Sequence, residues 1–306
     1  QHQALVAPGV GPSAVRLAKR ILTSLAALFT LLVIALLVLA WQVGAWHILF
    51  PSSQHDTTAP ALPARLEAPT VLVFSKTNRF RHKDGIRGGL EALRSIAADQ
   101  SMGIFATENG AVFNVDNLAR FDVVVFLNAT GDMLSATQER AFQDWLEAGG
   151  GWVGVHAAGD GSHTGWQWYM DNLIGVRFTA HTLGPQFQIG SVITENSGHP
   201  VAAGLPSVWD HEEEWYSWET SPRGAGFNVI ASVDEDSYTP KQKFLGQERD
   251  LRMSDHPIAW SNCVGDGRAV YTALGHKAEA YDNPPMRQML ENAISWAIGE
   301  AEGGCP

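Results

Sequence analysis

The sequence predicts an α/β protein with a doubly wound, mostly parallel sheet, preceded by one membrane-spanning helix. Two observations predict the sheet: short apolar runs end at polar turns, and these runs alternate with stretches of helical periodicity. A third observation predicts the spanning helix, because residues 21–46 contain no charged side chain. At 306 residues and 45% apolar composition, the chain can form one sizeable core in addition to this helix.

The uncharged stretch 21–46 is long enough to cross a bilayer. Its 26 residues, at about 1.5 Å each, exceed the roughly 30 Å of hydrocarbon in a membrane. Three Lys or Arg residues precede it, and the next one is Arg65. We therefore expect residues 1–20 to be a cytoplasmic tail and the rest of the chain to be extracytoplasmic, in the periplasm if the cell is Gram-negative. A signal peptide cleaved after Val43-Gly44-Ala45 is the alternative.

The remainder of the chain divides by composition. Residues 47–69 are rich in proline and predict a semi-extended linker, residues 70–299 predict the folded domain, and residues 300–306 a C-terminal tail. From residue 70 onward lie 17 of the 21 Lys and Arg and 30 of the 32 Asp and Glu, a net charge of −13. This acidity argues against nucleic acid as a partner and suits a small neutral or cationic molecule.

Within the domain, apolar runs and helical patterns alternate as in a parallel sheet. The motif Ser135-x-x-Gln138 is a capping box that begins one of the helices. We expect strands at 70–75, 102–107, 121–127, 152–155, 186–194, 227–233, 257–260 and 268–273, and helices at 84–98, 135–147, 170–174 and 286–298.

The stretch from Gly149 to Asp160 carries the first candidate functional residue. Three glycines end a predicted helix, a short apolar strand follows, and the chain then turns through small residues around His156. The spacing Gly154-x-His156-x-Ala158 is that of a nucleophile elbow, in which a sharp turn presents one side chain above a sheet. An imidazole there suits a general acid or base, or a metal ligand, better than a covalent nucleophile.

The candidate catalytic residues are His156, His181, Glu214 and His276. His156 and His276 each follow an apolar strand, so we expect both at the sheet edge where ligands bind in open α/β folds. Histidine nitrogens with a carboxylate suit zinc or a similar divalent ion, and His156, His181 and His276 are the candidate ligands. Without a metal, the same groups would form an acid/base pair. If Glu214 has no catalytic role, the acidic run that contains it is a solvent-exposed face. Within this run, Glu213 is a candidate equal to Glu214.

Aromatic residues in the loops near these groups are candidates for binding a sugar, because an aromatic face pairs with the apolar face of a pyranose. These residues are Trp166, Trp168, Tyr169, Trp215, Tyr216 and Trp218. Burial in the core is the alternative for the tryptophans. Arg79 and His82, after the first strand, are further substrate-binding candidates. No Gly-x-Gly-x-x-Gly or Walker motif is present, so no nucleotide cofactor is indicated.

Five motifs occur in an order that resembles ThuA-like proteins, the trehalose utilisation family. They are Gly149-Gly-Gly-x-x-Gly-x-His156-x-Ala, Gly175-x-x-Phe-x-x-His181, Gly198-His-Pro-x-x-x-Gly-Leu-Pro206, Glu213-Glu-Trp-Tyr216 and Gly267-Arg-x-x-Tyr-x-x-x-Gly-His276. The resemblance implies a flavodoxin-like fold similar to class I glutamine amidotransferases, and a role in the metabolism of disaccharides or their keto derivatives. Thr182 stands where a proline often follows the histidine of the second motif.

The first functional hypothesis is therefore a membrane-anchored enzyme that performs a hydrolase, lyase or isomerase step on a carbohydrate. The second is a non-catalytic carbohydrate-binding or scaffold domain. Amidotransferase activity is not expected, because those enzymes carry a cysteine at the elbow, where this chain has His156. The chain has two cysteines, Cys263 and Cys305, and outside the cytoplasm they either pair or remain free.

Overall fold

A computed structural model describes residues 12–163, 165–195, 197–301, 303 and 305. The chain forms two units, one up to Trp46 and one from His47 onward. Residues 1–11 of the predicted cytoplasmic tail, and parts of the predicted C-terminal tail, lie outside the described residues. The helices are α1 (Pro12–Gln42), α2 (Trp46–Leu49), α3 (Lys83–Asp99), α4 (Val115–Leu118), α5 (Ala136–Glu147), α6 (Gln167–Tyr169) and α7 (Pro284–Ala297).

Helix α1 matches the predicted apolar stretch. Its residues 15–42 are long and apolar enough to cross a membrane, and its apolar side chains are exposed rather than packed. The helix ends before the predicted boundary, because Gly44 adopts a φ of +85°. The backbone N–H of Ala45 then donates to the carbonyl of Ala40 at 2.8 Å, which closes a Schellman motif.

The domain contains thirteen described strands. They are β1 (Thr70–Phe74), β2 (Gly103–Thr107), β3 (Val123–Leu127), β4 (Gly151–Val155), β5 (Phe178–His181), β6 (Gln188–Thr194), β7 (Val208–Glu213), β8 (Tyr216–Trp218), β9 (Asn228–Val233), β10 (Lys241–Phe244), β11 (Gln247–Asp250), β12 (Pro257–Val264) and β13 (Gly267–Thr272).

Five neighbouring strands form the parallel core of the main sheet. Their order is β2-β1-β3-β4-β13, with every pair parallel, which is the flavodoxin-like order. Strands β1, β3 and β4 are buried along their whole length, as expected for strands covered by helices on both faces. The predicted parallel α/β core is confirmed.

The other half of the main sheet is antiparallel. Strand β12 pairs antiparallel with β13, and the sheet continues in the order β12-β9-β6-β7. Strand β7 was not predicted, because its inward positions are Trp209, His211 and Glu213. Two of these buried residues are charged or titratable. The sequence therefore shows an acidic run in place of the alternating apolar and polar residues that predict a strand. Strands β5 and β8 form a separate pair beside the site.

Residues 47–69 lie against the domain, which differs from the predicted linker. Leu62 and Leu66 pack on the core, and the Asp56 carboxylate accepts hydrogen bonds from Lys76 at 2.5 Å and from the backbone N–H of Gly110 at 2.8 Å. Prolines remove backbone donors but do not prevent side chains from docking. The folded unit therefore begins before Thr70.

The core and the C-terminus follow the sequence-based expectations more closely. Trp152, Trp260 and Trp296 are fully buried. Ser135 and Gln138 form the predicted capping box of α5. The two cysteines, for which the sequence leaves two alternatives, form a disulfide between Cys263 and Cys305. This bond ties the C-terminal residues to strand β12.

Candidate functional site

The predicted elbow around His156 is present at the end of strand β4. The backbone of His156 has a φ of +50°, in the left-handed region that non-glycine residues seldom adopt. A short 3-10 turn over His156–Gly159 follows. The hydroxyl of Tyr271 donates to the carbonyl oxygen of His156 at 2.7 Å, which holds the turn against β13. The imidazole therefore occupies the position of the presented side chain in an elbow.

The two ring nitrogens of His156 have different partners. Nδ1 lies 2.7 Å from the carbonyl oxygen of Ala273, an atom that can only accept, so Nδ1 carries the proton. Nε2 consequently has a free lone pair, and it accepts a hydrogen bond from the Tyr216 hydroxyl at 3.0 Å. Burial lowers the pKa of His156 to about 4, so the ring is neutral at neutral pH.

Two more imidazoles surround His156. Nδ1 of His276 lies 3.1 Å from Nε2 of His156. The ring of His82 packs edge-to-face on both, with centroid distances of 4.8 Å to His156 and 4.6 Å to His276. Burial, together with the neighbouring imidazoles, lowers the pKa of His82 well below its usual range. Among the described residues, the buried Nδ1 of His82 has no hydrogen-bond partner, which is uncommon for a buried polar atom.

Gly85 allows His82 to reach the cluster. Helix α3 begins directly after His82, and its first turn touches the loop that carries His276. A Cβ atom on Gly85 would lie 2.5 Å from the carbonyl oxygens of both Gly275 and His276. Such an approach is too close for any side chain, so a glycine is required where the helix meets the loop.

The carboxylate of Glu214 completes the group. Its Oε2 lies 3.3 Å from Nδ1 of His276 and accepts the side-chain amide of Gln186. Burial opposes ionisation of Glu214, but its contacts with His276 hold its pKa below the usual value. One donor atom from each of His82, His156, Glu214 and His276 lies within 4.8 Å of the others. These four residues, termed the His/Glu cluster below, can hold a metal ion.

Glu213 belongs to the support of the His/Glu cluster. Its buried carboxylate accepts the backbone N–H groups of Gly275 at 2.6 Å, His276 at 3.4 Å and Glu214 at 2.9 Å. Burial disfavours the charge, but contacts with neighbouring histidines and these N–H donors lower the pKa of Glu213 to about 2. Glu213 thus fixes the backbone of two cluster residues. Of the two glutamates left open by the sequence, Glu214 is the one whose carboxylate contacts the histidines.

A cavity of about 430 Å³ opens beside the cluster, a volume typical of small-molecule sites. Its lining combines three histidines, two carboxylates and several aromatic rings. The lining residues are Ile48, Phe80, His82, Asp160, Phe178, His181, Gln186, Glu214, Tyr216 and His276. His156 is fully buried and lies behind Tyr216 and His276.

Three other sequence-predicted residues lie at this cavity. His181 lines it, and its Nδ1 is 3.5 Å from Oε1 of Glu214. His181 is outside the His/Glu cluster, however, so the expected ligand set of His156, His181 and His276 is corrected: His82 takes the position assigned to His181. Tyr216 and His82, both expected to bind substrate, also line the cavity.

The remaining aromatic candidates do not reach the cavity. Trp166, Tyr169 and Trp215 are buried, and Trp168 packs on the core and donates to Glu147 at 3.0 Å. Burial of these rings stabilises the fold through the hydrophobic effect, and it leaves them without a surface for ligand contact. The expected tryptophan platform is therefore corrected in favour of the core alternative. Arg79 is exposed and does not line the cavity either.

Sequence reasoning missed five lining residues, one of which, Ile48, lies in the predicted linker. Phe80 adjoins the polar turn after the first strand, Asp160 ends the elbow stretch, and Phe178 lies in a motif selected for its histidine. Gln186 follows a loop and carries no distinctive pattern. For Asp160 and Phe178, position beside a candidate histidine was the available signal.

The domain has relatives among known families and solved structures. A family model described as ThuA, trehalose utilisation, matches residues 70–297. A thua-like protein from Bacteroides uniformis ATCC 8492 has a similar structure, with 24% identity and a TM-score of 0.65, covering 80% of this chain and 97% of that chain.

A thua-like protein from Parabacteroides merdae ATCC 43184 is also similar, with 18% identity and a TM-score of 0.55, covering 76% of this chain and 90% of that chain. At these identities the two structures establish the shared fold. No curated protein matches the chain.

Proposed function

Since the chain belongs to the ThuA family, named for trehalose utilisation, we propose that it is a membrane-anchored protein that acts on a carbohydrate. The substrate class is a disaccharide or keto-sugar, and the step is a hydrolase, lyase or isomerase reaction without a cysteine nucleophile. The observation that carries this proposal is the His/Glu cluster beside a cavity of ligand size. Both cysteines are joined in a disulfide, which supports a chemistry based on histidine and glutamate.

We further propose that the His/Glu cluster binds a divalent, zinc-like ion. Ligand atoms about 2.0–2.1 Å from a tetrahedral metal are about 3.3 Å from one another. Two edges of the cluster have this length: His156 Nε2 to His276 Nδ1 is 3.1 Å, and His276 Nδ1 to Glu214 Oε2 is 3.3 Å. The unpartnered Nδ1 of His82 supplies a further donor atom, and Nε2 of His156 can act as a ligand because Nδ1 of that ring carries the proton.

The support around the ligands also suits a metal. His156 donates its Nδ1–H to a backbone carbonyl, an interaction that fixes the tautomer of metal-binding histidines. A bound divalent ion would polarise a carbonyl group or lower the pKa of a bound water. Tyr216, whose pKa is raised well above its usual value by burial, stays protonated, and its O–H would become available to a substrate oxygen once Nε2 of His156, its acceptor in the structure, binds the ion. His181, which lines the cavity outside the His/Glu cluster, is in position to contact the substrate.

The proposed location rests on two features. Helix α1 is apolar and unpacked, as expected for a membrane anchor or a signal sequence. The Cys263–Cys305 disulfide is typical of an oxidising compartment outside the cytoplasm. Mass spectrometry of the membrane-bound protein would separate the two: a retained N-terminus supports the anchor, and cleavage near Val43-Gly44-Ala45 supports the signal peptide.

Elemental analysis tests the metal. The full-length protein, purified in detergent, should contain a divalent metal close to one per chain. Replacing His82 or His276 by Asn should weaken metal binding by more than about 100-fold, because each removes a ligand. His181→Asn is the matched control and should keep its metal. Equal metal content in His276→Asn and wild type would contradict the assignment.

Turnover of oxidised and unoxidised disaccharides tests the reaction. His156→Asn is the informative variant, because asparagine tolerates the left-handed backbone of the elbow. For an enzyme we expect turnover to fall by about 10²- to 10⁴-fold with sugar affinity retained. A wild-type protein that binds a sugar but turns over none of the panel would instead support the non-catalytic carbohydrate-binding domain.

A further inference from the structure

Part of the cavity lining is unrelated to the proposed metal ligands. Phe80, Phe178 and Asp160 face the same space as the His/Glu cluster. We propose that these residues form a subsite for one unphosphorylated pyranose ring, with the two phenyl groups on its apolar face and the Asp160 carboxylate on its hydroxyl groups. This inference rests on the proposed function and specifies how its substrate is held.

The two phenylalanines are fixed by site residues and remain partly exposed. Phe80 packs edge-to-face on His82 with centroids 4.7 Å apart, and Phe178 packs edge-to-face on Tyr216 at the same distance of 4.7 Å. Neither ring is fully buried, so each offers apolar surface to the cavity. Rigid aromatic surface beside polar groups matches a sugar, which has a C–H face and hydroxyl groups at its edges.

Asp160 supplies hydrogen-bond acceptors. Its Oδ1 accepts the backbone N–H of Ser162 at 2.8 Å, which fixes the carboxylate at the cavity wall. A carboxylate offers about four acceptor positions, so capacity remains for a ligand. Burial raises the pKa of Asp160, because nearby groups offset the loss of water only in part. Sugar hydroxyls would supply the missing donors.

The charge of the lining selects against anionic sugars. Two carboxylates, Asp160 and Glu214, line the cavity, and among the described residues no Lys or Arg does. Phosphate groups in proteins are typically held by Arg, Lys or helix N-termini. At the Asp160 side of the cavity, away from the proposed metal ligands, a sugar phosphate would therefore meet like charge without an Arg or Lys partner, whereas a neutral sugar would donate hydrogen bonds to Asp160.

Calorimetric titration of the full-length protein tests the subsite. The detergent must lack a sugar headgroup, and the probes are trehalose, glucose and glucose 6-phosphate. We expect saturable binding of trehalose or glucose and weaker binding of glucose 6-phosphate. Phe80→Leu and Phe178→Leu should each weaken binding of the neutral sugar by about 3- to 10-fold, and Asp160→Asn by about 10-fold or more.

A matched control separates the subsite from general effects. Phe244 is 61% exposed at the end of strand β10, so Phe244→Leu should bind sugar like wild type. Metal content, measured on each preparation, should not change in the Phe80, Phe178 and Asp160 variants. If metal is absent but these variants still lose sugar binding, the metal proposal fails and the subsite stands.

Two results would overturn the subsite. One is wild-type affinity for neutral sugar in all three variants while the protein retains its metal. The other is a probe series without a preference for neutral sugar, in which glucose 6-phosphate binds more tightly than glucose in the presence of a chelator or neither neutral probe binds saturably.

Discussion

The neutral, buried state of His156 makes a quantitative prediction about acid stability. Its usual pKa of 6.5 falls to about 4 in the folded protein, mainly through burial. Between these two values the unfolded chain binds a proton that the folded chain excludes, so the free energy of unfolding must fall as the pH decreases. At about 1.4 kcal/mol per pKa unit, His156 alone should cost about 3 kcal/mol between pH 6.5 and pH 4.

His156→Asn isolates this contribution. Asparagine does not titrate in this range and tolerates the elbow backbone. Urea unfolding of the full-length protein, followed by tryptophan fluorescence with a chelator present, should show that wild type loses about 3 kcal/mol more stability than the variant on acidification. A residual loss should remain in the variant, because burial also lowers the pKa values of His82 and His199. Parallel pH profiles for the two proteins would refute the assignment of a buried neutral imidazole.

Three further variants test the support of the site and the fold. Glu213→Gln removes a charge that holds three backbone N–H groups. It should cost about 2 kcal/mol of stability and weaken metal binding. Unchanged melting temperature and metal affinity would argue against this supporting role of Glu213. Gly85→Ala places a methyl group 2.5 Å from two carbonyl oxygens and should cost more than about 2 kcal/mol and displace His82, whereas Gly224→Ala, which meets no atom within 4 Å, should change thermal stability little. Cys305→Ser opens a disulfide of 42-residue separation and should lower the free energy of unfolding by up to about 4 kcal/mol, measured by urea titration; equal stability would show that the bond contributes nothing.

The sequence was most informative where local patterns determine the structure. The parallel strands are continuous apolar runs, and the capping box at Ser135 and Gln138 reports a helix start directly. The elbow at His156 and the strand before His276 were recognisable for the same reason. Parallel strands end at one sheet edge, so their two histidines could be expected to meet.

The remaining members of the site depend on contacts between distant segments. His82 joins the cluster because Gly85 lets helix α3 approach the loop at Gly275, and no local pattern encodes that approach. His181 looked equivalent to the other histidines in the sequence, but it lies beyond Glu214. The tryptophans near the site are buried because core packing outweighs ligand contact for large apolar rings.

The proton inventory of the cluster gives a separate reason to expect a cation. Nε2 of His156 must accept, because Nδ1 of that ring donates to Ala273. Nδ1 of His276 lies between this acceptor and the Glu214 carboxylate, so one proton at most is shared by two acceptors. Tyr216 and the side-chain amide of Gln186 each offer one more donor, while the buried Nδ1 of His82 has no hydrogen-bond partner among the described residues.

The buried Nδ1 of His82 is therefore left unsatisfied, which is costly in a low-dielectric site. Protonating the imidazoles would not give this nitrogen a partner, and it would place several positive charges within 4.8 Å of one another. One divalent ion satisfies all four residues at once and adds no ring proton. The same balance implies that protons and metal compete, so metal affinity must fall as the pH decreases. Since His156 has a pKa of about 4 in the folded protein, the decrease should appear below about pH 5, and a metal affinity that stays constant between about pH 5 and pH 3.5 would mean that this imidazole is not a ligand.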